Sequence, residues 1–155
     1  MINVRRFTIS DIKPLWQLKL NTIHNVNSQH YSLAEVTAWA PHEYNESAWV
    51  QRVTKINPFV AEVNGVIAGF ADLQDDGYID HFYCSADFQK QGVGDALMQA
   101  IFNKAAKLTL NSLYAEVSIT AKPFFSRYGF VEEEAQSVAV RGQKINNFVM
   151  RKLLG

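Results

Sequence analysis

The chain has 155 residues, 48% of them hydrophobic, with 15 Lys and Arg residues against 15 Asp and Glu residues. This length and composition predict one globular domain over residues 1–155 and argue against intrinsic disorder. Because the formal net charge is zero, the chain lacks the basic excess that sequence-independent nucleic-acid binding requires.

Membrane, secreted and zinc-finger classes are also disfavoured. No apolar run approaches the ~18–20 residues of a membrane span, and Met1–Arg6 fits a strand better than a signal peptide. The single Cys84 excludes an internal disulfide and a structural zinc cluster. We therefore expect a cytoplasmic enzyme or small-ligand domain.

The first half of the chain predicts a strand, three helical segments and a β-hairpin. Ser32 and Glu35 form an S-x-x-E capping box that starts the second helix. Asn64-Gly65 separates two apolar runs and predicts a type I′ hairpin turn. The opening strand is expected over 2–7, and the helical segments over 12–23, 32–40 and 46–55.

The second half predicts strands that alternate with helices. A continuous strand is expected over Tyr78–Cys84, and a helix with a broad apolar face follows from about Gly92 to Leu108. The strand-helix-strand step around Gly92 should place two strands parallel in a mixed α/β sheet. The later elements are a strand over 113–119, a short helix over 121–128 and strands over 131–140 and 144–152.

The most informative segment is the loop Gln89-Lys90-Gln91-Gly92-Val93-Gly94 between that strand and that helix. Unpaired N–H groups at a helix start can converge on a phosphate, and glycine lets the main chain approach it closely. The loop lacks the G-K-[ST] of a Walker A motif, and Leu97 stands where G-x-G-x-x-G requires a third glycine. By itself the pattern also fits a tight loop without a ligand.

Two motifs extend the argument by resemblance. Residues 89–94 resemble the Q/R-x-x-G-x-G/A motif of GNAT-type N-acetyltransferases, and Ser118–Phe130 is similar to the family's N-x-x-A-x-x-F-Y-x-x-x-G-F. The motifs lie ~30 residues apart, which suits a β-α-β unit. The resemblance implies the GNAT fold, with a mixed, mostly antiparallel sheet of six to seven strands flanked by helices. Its parallel fourth and fifth strands splay apart.

The resemblance also implies an acetyl-CoA-dependent N-acetyltransferase. We expect no metal, because His24, His30 and His42 form no metal-ligand pattern with a nearby acidic pair. The pyrophosphate would lie on the N–H groups of the glycine loop, and the pantetheine arm would bond the backbone of the fourth strand like an extra strand. Ser118 replaces the family's Asn and retains a hydroxyl for the ligand. The implied cofactor-binding residues are Phe82, Tyr83, Cys84, Gln89, Lys90, Gln91, Gly92, Val93, Gly94, Asp95 and Ser118.

The acceptor amine must be neutral to attack, so a positioned base would help. The resemblance implies a carboxylate on the fourth strand, which is Asp80 here. Period-two alternation predicts Asp80 on the face of Tyr78 and Phe82, with His81 opposite as an alternative base. A bulge would reverse this parity, and a salt bridge or a turn bond is the structural alternative for Asp80.

The remaining site residues are less clearly marked. The family's Tyr, proposed to protonate the CoA thiolate, falls at Phe125, so Tyr128 is the candidate acid, with helix-end packing as the alternative. The resemblance implies that the helical insertion before the sheet walls the acceptor pocket. Its aromatic residues would suit an apolar, aromatic or cationic acceptor, although such residues are core by default. They are Tyr31, Trp39 and Trp49.

The expected reaction is transfer of the acetyl group to a primary amine of a small molecule or peptide by direct attack. Two rivals remain. One is a CoA-binding regulatory module with weak or no catalysis, which Ser118 and Phe125 favour. The other is an enzyme that acetylates a protein or a charged tRNA, although the neutral charge weighs against tRNA. We expect a monomer or homodimer without nucleic-acid or membrane partners.

Overall fold

The computed structural model describes residues 1–155. None of its helices combines the length and apolar character that a bilayer span requires. The helices are α1 (Ile12–Asn25), α2 (Leu33–Trp39), α3 (Glu46–Ile56), α4 (Val93–Lys107) and α5 (Lys122–Arg127). The strands are β1 (Ile2–Arg6), β2 (Phe59–Val63), β3 (Val66–Ala71), β4 (Tyr78–Ile79), β5 (Phe82–Cys84), β6 (Ser112–Ser118), β7 (Val131–Val140) and β8 (Gln143–Leu153).

The strands form two four-stranded sheets, in the orders β1-β2-β3-β5 and β4-β6-β8-β7. All pairs are antiparallel except β4 with β6, which run parallel. The run expected as one strand over Tyr78–Cys84 is therefore two strands, each in a different sheet. The mixed, mostly antiparallel fold and its splay are confirmed, and the splay is what opens space between the sheets.

Local signals in the sequence set several boundaries. Ser32 accepts the N–H of Glu35, and the Glu35 carboxylate accepts the N–H of Ser32, so the capping box at the start of α2 is present. Asn64 and Gly65 have φ of 50° and 83°, as a type I′ turn requires. Gly129 ends α5 with φ of 87°, a conformation that costs glycine little.

The β1-β2-β3-β5 sheet is covered on both faces. On β2, Ala61 belongs to the apolar cluster of α4, whereas the preceding residue Val60 belongs to the cluster of α1 and α3. Because side chains alternate across a strand, α4 and the α1–α3 pair lie on opposite faces. Helix α1 also contacts β5, and α4 begins beside it. Both helices therefore meet the place where the two sheets part.

Candidate active site

The break between β4 and β5 is held by a buried carboxylate. Asp72 follows β3, is fully buried, and accepts the backbone N–H groups of Asp80 at 3.0 Å and His81 at 2.6 Å on one oxygen. Its own N–H donates to the carbonyl of His81 at 3.1 Å. Burial raises the pKa of Asp72 to about 6, although these hydrogen bonds oppose the shift. Asp72 thus replaces a strand partner at this point.

The break changes the expected side-chain parity. Alternation placed Asp80 with Phe82 and His81 on the opposite face, but the Asp80 carboxylate and His81 Nδ1 lie 3.5 Å apart and both line one cavity. The ring of Phe82 packs instead on Phe124 and Phe125, at 5.3 and 5.4 Å between centroids. Tyr78 and Asp80 share the Lys19 cavity as expected, but the expectation was wrong for His81 and Phe82, because the irregularity at Asp80–His81 reverses the alternation after it, as a bulge does.

Strand β5 presents one free edge to the splay. The N–H of Ser85 donates to the carbonyl of Ala68 at 2.7 Å, so Ser85 turns its main chain toward β3. Along an antiparallel pair such residues alternate with residues whose N–H and C=O point away. Cys84 and Phe82 are those residues, and β5 pairs with β3 alone. Their main-chain groups therefore face the gap between the sheets.

The end of this edge is closed by side chains. Thr22 of α1 donates its hydroxyl to the carbonyl of Cys84 at 2.9 Å. Gln89 donates its side-chain amide to the carbonyls of Cys84 and Ser85, each at 3.0 Å. Gln89 thus fixes the loop to the strand. Burial raises the pKa of Cys84 to about 12, so its side chain is a protonated thiol at neutral pH.

Helix α4 begins at the same gap without a side-chain cap. Gly92 is the N-cap residue with φ of 88°, and the first intrahelical bond runs from Ala96 to the Gly92 carbonyl. The N–H groups of the first turn, on residues 93–95, are therefore left for another acceptor. A Cβ on Gly94 would lie 2.9 Å from the ring of Phe124, so this glycine permits close packing against α5.

These elements enclose a cavity of about 360 Å³, here called the β5 cavity. Most of the expected cofactor-binding residues line it. Gln91 is exposed and does not. Ser118 lines it with its Oγ bonded to the N–H of Ala121 at 3.0 Å and to the amide of Asn27 at 3.3 Å. The expected residues on its wall are Phe82, Tyr83, Cys84, Gln89, Lys90, Gly92, Val93, Gly94, Asp95 and Ser118.

A second cavity of about 220 Å³, here called the Lys19 cavity, adjoins the first. The Nζ atom of Lys19 lies 3.2 Å from His81 Nε2, and Arg52 contacts the Asp80 carboxylate at 2.5 Å. Glu116 adds an exposed carboxylate to the wall. Five residues line both cavities: Trp39, Asp80, Tyr83, Glu116 and Ser118.

Burial and neighbouring charges set the protonation states there. Burial lowers the pKa of His81 to about 4, so the imidazole is neutral at pH 7. Burial also lowers the pKa of Lys19 to about 8, which leaves the ammonium mostly charged at pH 7. Burial alone would raise the pKa of Asp80, but its contact with His81 and the charges of Arg52 and Lys19 bring that pKa below its usual value.

These states fix the tautomer of His81. The Lys19 ammonium has only hydrogens to offer, so His81 Nε2 must accept from it. The ring proton therefore sits on Nδ1 and points toward Asp80. At 3.5 Å that contact is too long for a good hydrogen bond, and Nδ1 has no other partner. His81 therefore has no free lone pair, whereas the carboxylate of Asp80 keeps lone pairs that can accept a proton.

The expected aromatic residues are split between cavity and core. Tyr31 and Trp39 line the Lys19 cavity and meet edge to face, with 5.4 Å between ring centroids. The Tyr31 hydroxyl is held by the main chain, since it donates to the carbonyl of Asn146 at 2.5 Å. Trp49 is buried in the core instead, and its indole N–H donates to the carbonyl of Ile12 at 2.7 Å.

Tyr128, the expected acid, lies outside both cavity walls. Its hydroxyl donates to the carboxylate of Asp95, and its ring packs on Phe102 and Phe124. Partial burial, followed by the Asp95 hydrogen bond, raises the pKa of Tyr128 to about 12. Phe125 is buried within the ring cluster. This placement matches the packing alternative stated for Tyr128.

Sequence reasoning missed Lys19, Arg52 and Asp72. A signal for Lys19 was present, because it lies four residues after Leu15 and three before Thr22, both buried in α1. A lysine at that spacing faces inward. Asp72 also had a signal, since a carboxylate directly after an apolar strand needs partners. Nothing local marks Arg52, whose partner Asp80 is distant in sequence.

Comparison with known proteins gives a consistent match. Residues 27–154 match the family model described as an acetyltransferase (GNAT) domain. The chain is 33% identical over 150 residues to YafP of Escherichia coli K12, described as an uncharacterized N-acetyltransferase; the match covers 97% of this chain and 95% of YafP.

Two solved structures share the fold. A GCN5-related N-acetyltransferase from Rhodopseudomonas palustris superposes with a TM-score of 0.93 at 26% identity, over 98% of this chain and 95% of that one. PaiA N-acetyltransferase from Thermoplasma acidophilum, solved in complex with coenzyme A, superposes with a TM-score of 0.80 at 14% identity, over 99% of each chain. The second likeness concerns the fold alone.

Proposed function

Since the chain belongs to the GNAT family of N-acetyltransferases, we propose that it moves the acetyl group of acetyl-CoA to a primary amine of a small molecule or peptide. The family, the fold class and the enzyme class expected from the sequence are confirmed. One domain over residues 1–155, a cytoplasmic location and a monomeric or homodimeric state stay predictions.

One observation carries the choice of donor. The unpaired edge of β5 and the uncapped start of α4 face the same cavity. The first-turn N–H groups of α4 suit a pyrophosphate, because their dipoles favour negative charge. The edge of β5 suits an arm with amide groups, which would pair with Phe82 and Cys84 as an added strand. PaiA, which has the same fold, was solved with coenzyme A.

The acyl carbonyl of acetyl-CoA would then lie where the two cavities adjoin. The N–H of Phe82 points away from β3 and would polarise that carbonyl, which stabilises an oxyanion at the same atom. Asp80 lies on the walls of both cavities and would orient the attacking amine and take its proton. His81 supports Asp80 in this role and is the weaker candidate, because Lys19 occupies its Nε2.

A second candidate function keeps the donor and loses the reaction. Phe125 has no proton to give and is buried among other rings, and Tyr128 lies outside the cavities, so neither residue offers a phenol to a leaving thiolate. A chain of this kind could serve as a CoA-binding regulatory module. Thiols have pKa values near ~8.5, however, so a thiolate leaves tolerably without an acid.

Two measurements on the same preparation test the proposal. Acetyl-CoA at ~100 times its Kd should add about 2.7 kcal/mol to the unfolding free energy and raise Tm. A panel of amines and peptides with acetyl-CoA, followed by thiol release, should then reveal acceptors. Stabilisation without any amine-dependent release would favour the regulatory module. An unchanged Tm at saturating acetyl-CoA would contradict both readings.

A further inference from the structure

Lys19 carries a positive charge into the Lys19 cavity with no acidic side chain in contact with it. The residue is partly exposed, but its ammonium group is largely surrounded by protein. Its Nζ lies over the rings of Trp49 and Tyr83, at 5.3 and 5.7 Å from their centroids, and bonds one nitrogen of His81. None of the ion pairs of the structure includes Lys19. Enclosing an ammonium in this way is costly unless an anion joins it.

The other charges around the cavity do not supply that anion. The Asp80 carboxylate attracts Lys19 from the far side of His81, but it is already in contact with Arg52, which offsets most of its charge. Glu116 lies on the wall but is exposed, and water screens its charge. Arg141, whose field also reaches Lys19, adds a further positive charge. The cavity therefore has one carboxylate paired with Arg52, one exposed carboxylate on Glu116, and one ammonium with no anion in contact with it.

We propose that the acceptor carries a carboxylate as well as its amine, and that Lys19 binds this carboxylate while Asp80 orients the amine. This inference rests on the proposed function. The imidazole of His81 separates the two groups by the width of one ring, since its Nε2 contacts Lys19 and its Nδ1 faces Asp80. An amino acid, which holds an amine and a carboxylate on adjacent groups, can reach both ends.

Size and wall chemistry narrow the class further. The Lys19 cavity has a volume of about 220 Å³, which suits one amino acid or a molecule of that size. Its apolar lining consists of the aromatic rings of Tyr31 and Trp39 and the aliphatic side chains of Val138, Val140 and Ile145. These walls favour an apolar or aromatic side chain on the acceptor. The acceptor class is thus a small amino acid-like molecule with an apolar side chain.

The test uses pairs of acceptors that differ only in the carboxylate, such as leucine with isopentylamine and phenylalanine with phenethylamine. Each is assayed with saturating acetyl-CoA by thiol release, and kcat/KM is compared within a pair. The wild type should favour the carboxylated member of at least one pair by about 10- to 100-fold, the range for a charge-assisted hydrogen bond.

Lys19→Met should lower kcat/KM for the carboxylated acceptor at least 10-fold more than for its plain amine, through KM. Lys19→Arg keeps the charge and should retain most of the preference. Lys13→Met is the matched control, because Lys13 is an exposed lysine of α1 outside both cavities. It should leave the preference as in the wild type.

The outcomes separate the two proposals. Acetylation of plain amines with no carboxylate preference in any pair would overturn this inference and leave the proposed function standing. An equal loss for both members of a pair in Lys19→Met, with folding intact by Tm, would also overturn it. No acetylation of any amine, despite stabilisation by acetyl-CoA, would overturn the proposed function and this inference together.

Discussion

The β5 cavity and the Lys19 cavity share five wall residues but obtain their polar groups from different sources. In the β5 cavity the groups proposed to hold the donor come from the main chain, at the unpaired edge of β5 and the first turn of α4. In the Lys19 cavity they come from side chains on separate elements: Lys19 of α1, Arg52 of α3, and Asp80 and His81 at the break. The proposed donor contacts in the β5 cavity therefore depend on the path of the main chain. The polar groups of the Lys19 cavity depend on which residues occupy these positions.

The difference bears on what each cavity can recognise. Main-chain N–H and C=O groups are present in every sequence, so a fold can keep a binding surface for one donor while its side chains vary. Side-chain groups change with single substitutions, so the second cavity can select different acceptors on the same fold. Substitutions in the Lys19 cavity should alter turnover and acceptor choice, whereas those in the β5 cavity should alter donor affinity.

The largest expected effect is on turnover, from a side chain of the Lys19 cavity. We predict that Asp80→Asn lowers kcat by ~10²–10⁴-fold, because the amide cannot accept the proton of the acceptor amine. The Kd for CoA should stay within about twofold, since the contacts proposed for CoA are with main-chain groups. Steady-state kinetics by thiol release and calorimetric titration with CoA measure the two quantities.

Asp75→Asn is the control for that substitution, because Asp75 is an exposed carboxylate in the turn before β4 and lines neither cavity. It should behave as the wild type. Unchanged kcat in Asp80→Asn would mean that proximity and polarisation by the main chain suffice for the reaction.

The second prediction concerns donor binding in the β5 cavity and uses a glycine on its wall. Gly92→Val should weaken CoA binding by about 10- to 100-fold, because its side chain would project at the uncapped start of α4 and remove charge-assisted hydrogen bonds to the ligand. Gly65→Val is a matched control: Gly65 has φ of 83° against 88° for Gly92, and a Cβ at either position meets no atom closer than 3.5 Å.

Both glycine variants should lose a similar ~1–2 kcal/mol of unfolding free energy, the cost of a left-handed conformation. Only Gly92→Val should lose CoA affinity, as measured by titration of the folded proteins. Equal loss of affinity in the two variants would assign the effect to general destabilisation and would remove the argument for a phosphate at α4.

The difference between the two cavities also explains which parts of the structure could be predicted from the sequence. The hairpin at Asn64-Gly65 and the capping box at Ser32 depend on neighbouring residues, so short patterns predicted them. The start of α4 at Gly92 is equally local. The β5 cavity was accessible from the sequence for this reason, helped by a resemblance in its loop motif.

The Lys19 cavity was not accessible in the same way. Its geometry depends on Asp72, whose carboxylate bonds the main chain eight and nine residues later and reverses the side-chain parity of the run. Its positive charge comes in part from Lys19 of α1, which contacts His81 although the two residues lie 62 positions apart in the sequence. Patterns of period 2 or 3.6 carry no information about contacts of this length.

Substitution of Asp72, whose carboxylate holds the break between β4 and β5, provides a further test. Asp72→Ala should lower the unfolding free energy by about 2–6 kcal/mol, because two buried N–H groups lose their acceptor. It should also lower kcat by roughly 10-fold in protein that still folds, because Asp80 and His81 lose the turn that aims them. Asp72→Asn keeps one carbonyl oxygen and should retain most of both. Denaturant unfolding and thiol release measure the two effects.

The pH dependence of the unfolding free energy provides a second measurement of the role of Asp72. The pKa of Asp72 is raised to about 6 by burial, above an unfolded value of about 3.9. The folded state therefore holds the proton more tightly, and this contribution is present below pH ~4 and lost as pH rises through about 6. It amounts to about 3 kcal/mol over that interval. Asp72→Asn should lack this loss, and identical pH profiles of the two proteins would contradict the assignment.

The smallest effect should come from Tyr128, which lines neither cavity. Its hydroxyl donates to Asp95, and the pKa of the phenol is raised to about 12, so it holds its proton firmly. The ring contacts with Phe102 and Phe124 survive in Tyr128→Phe.

We therefore expect Tyr128→Phe to change kcat by less than about threefold, well under the range of a general acid. Profiles of kcat from pH 6 to 9 should superimpose on the wild type, because a thiolate with a pKa near ~8.5 can leave unprotonated. A drop of 100-fold that grows with pH would show instead that the phenol moves into the β5 cavity during turnover. In that case the acid would come from the end of α5, and a side chain would share the chemistry of that cavity with the main-chain groups.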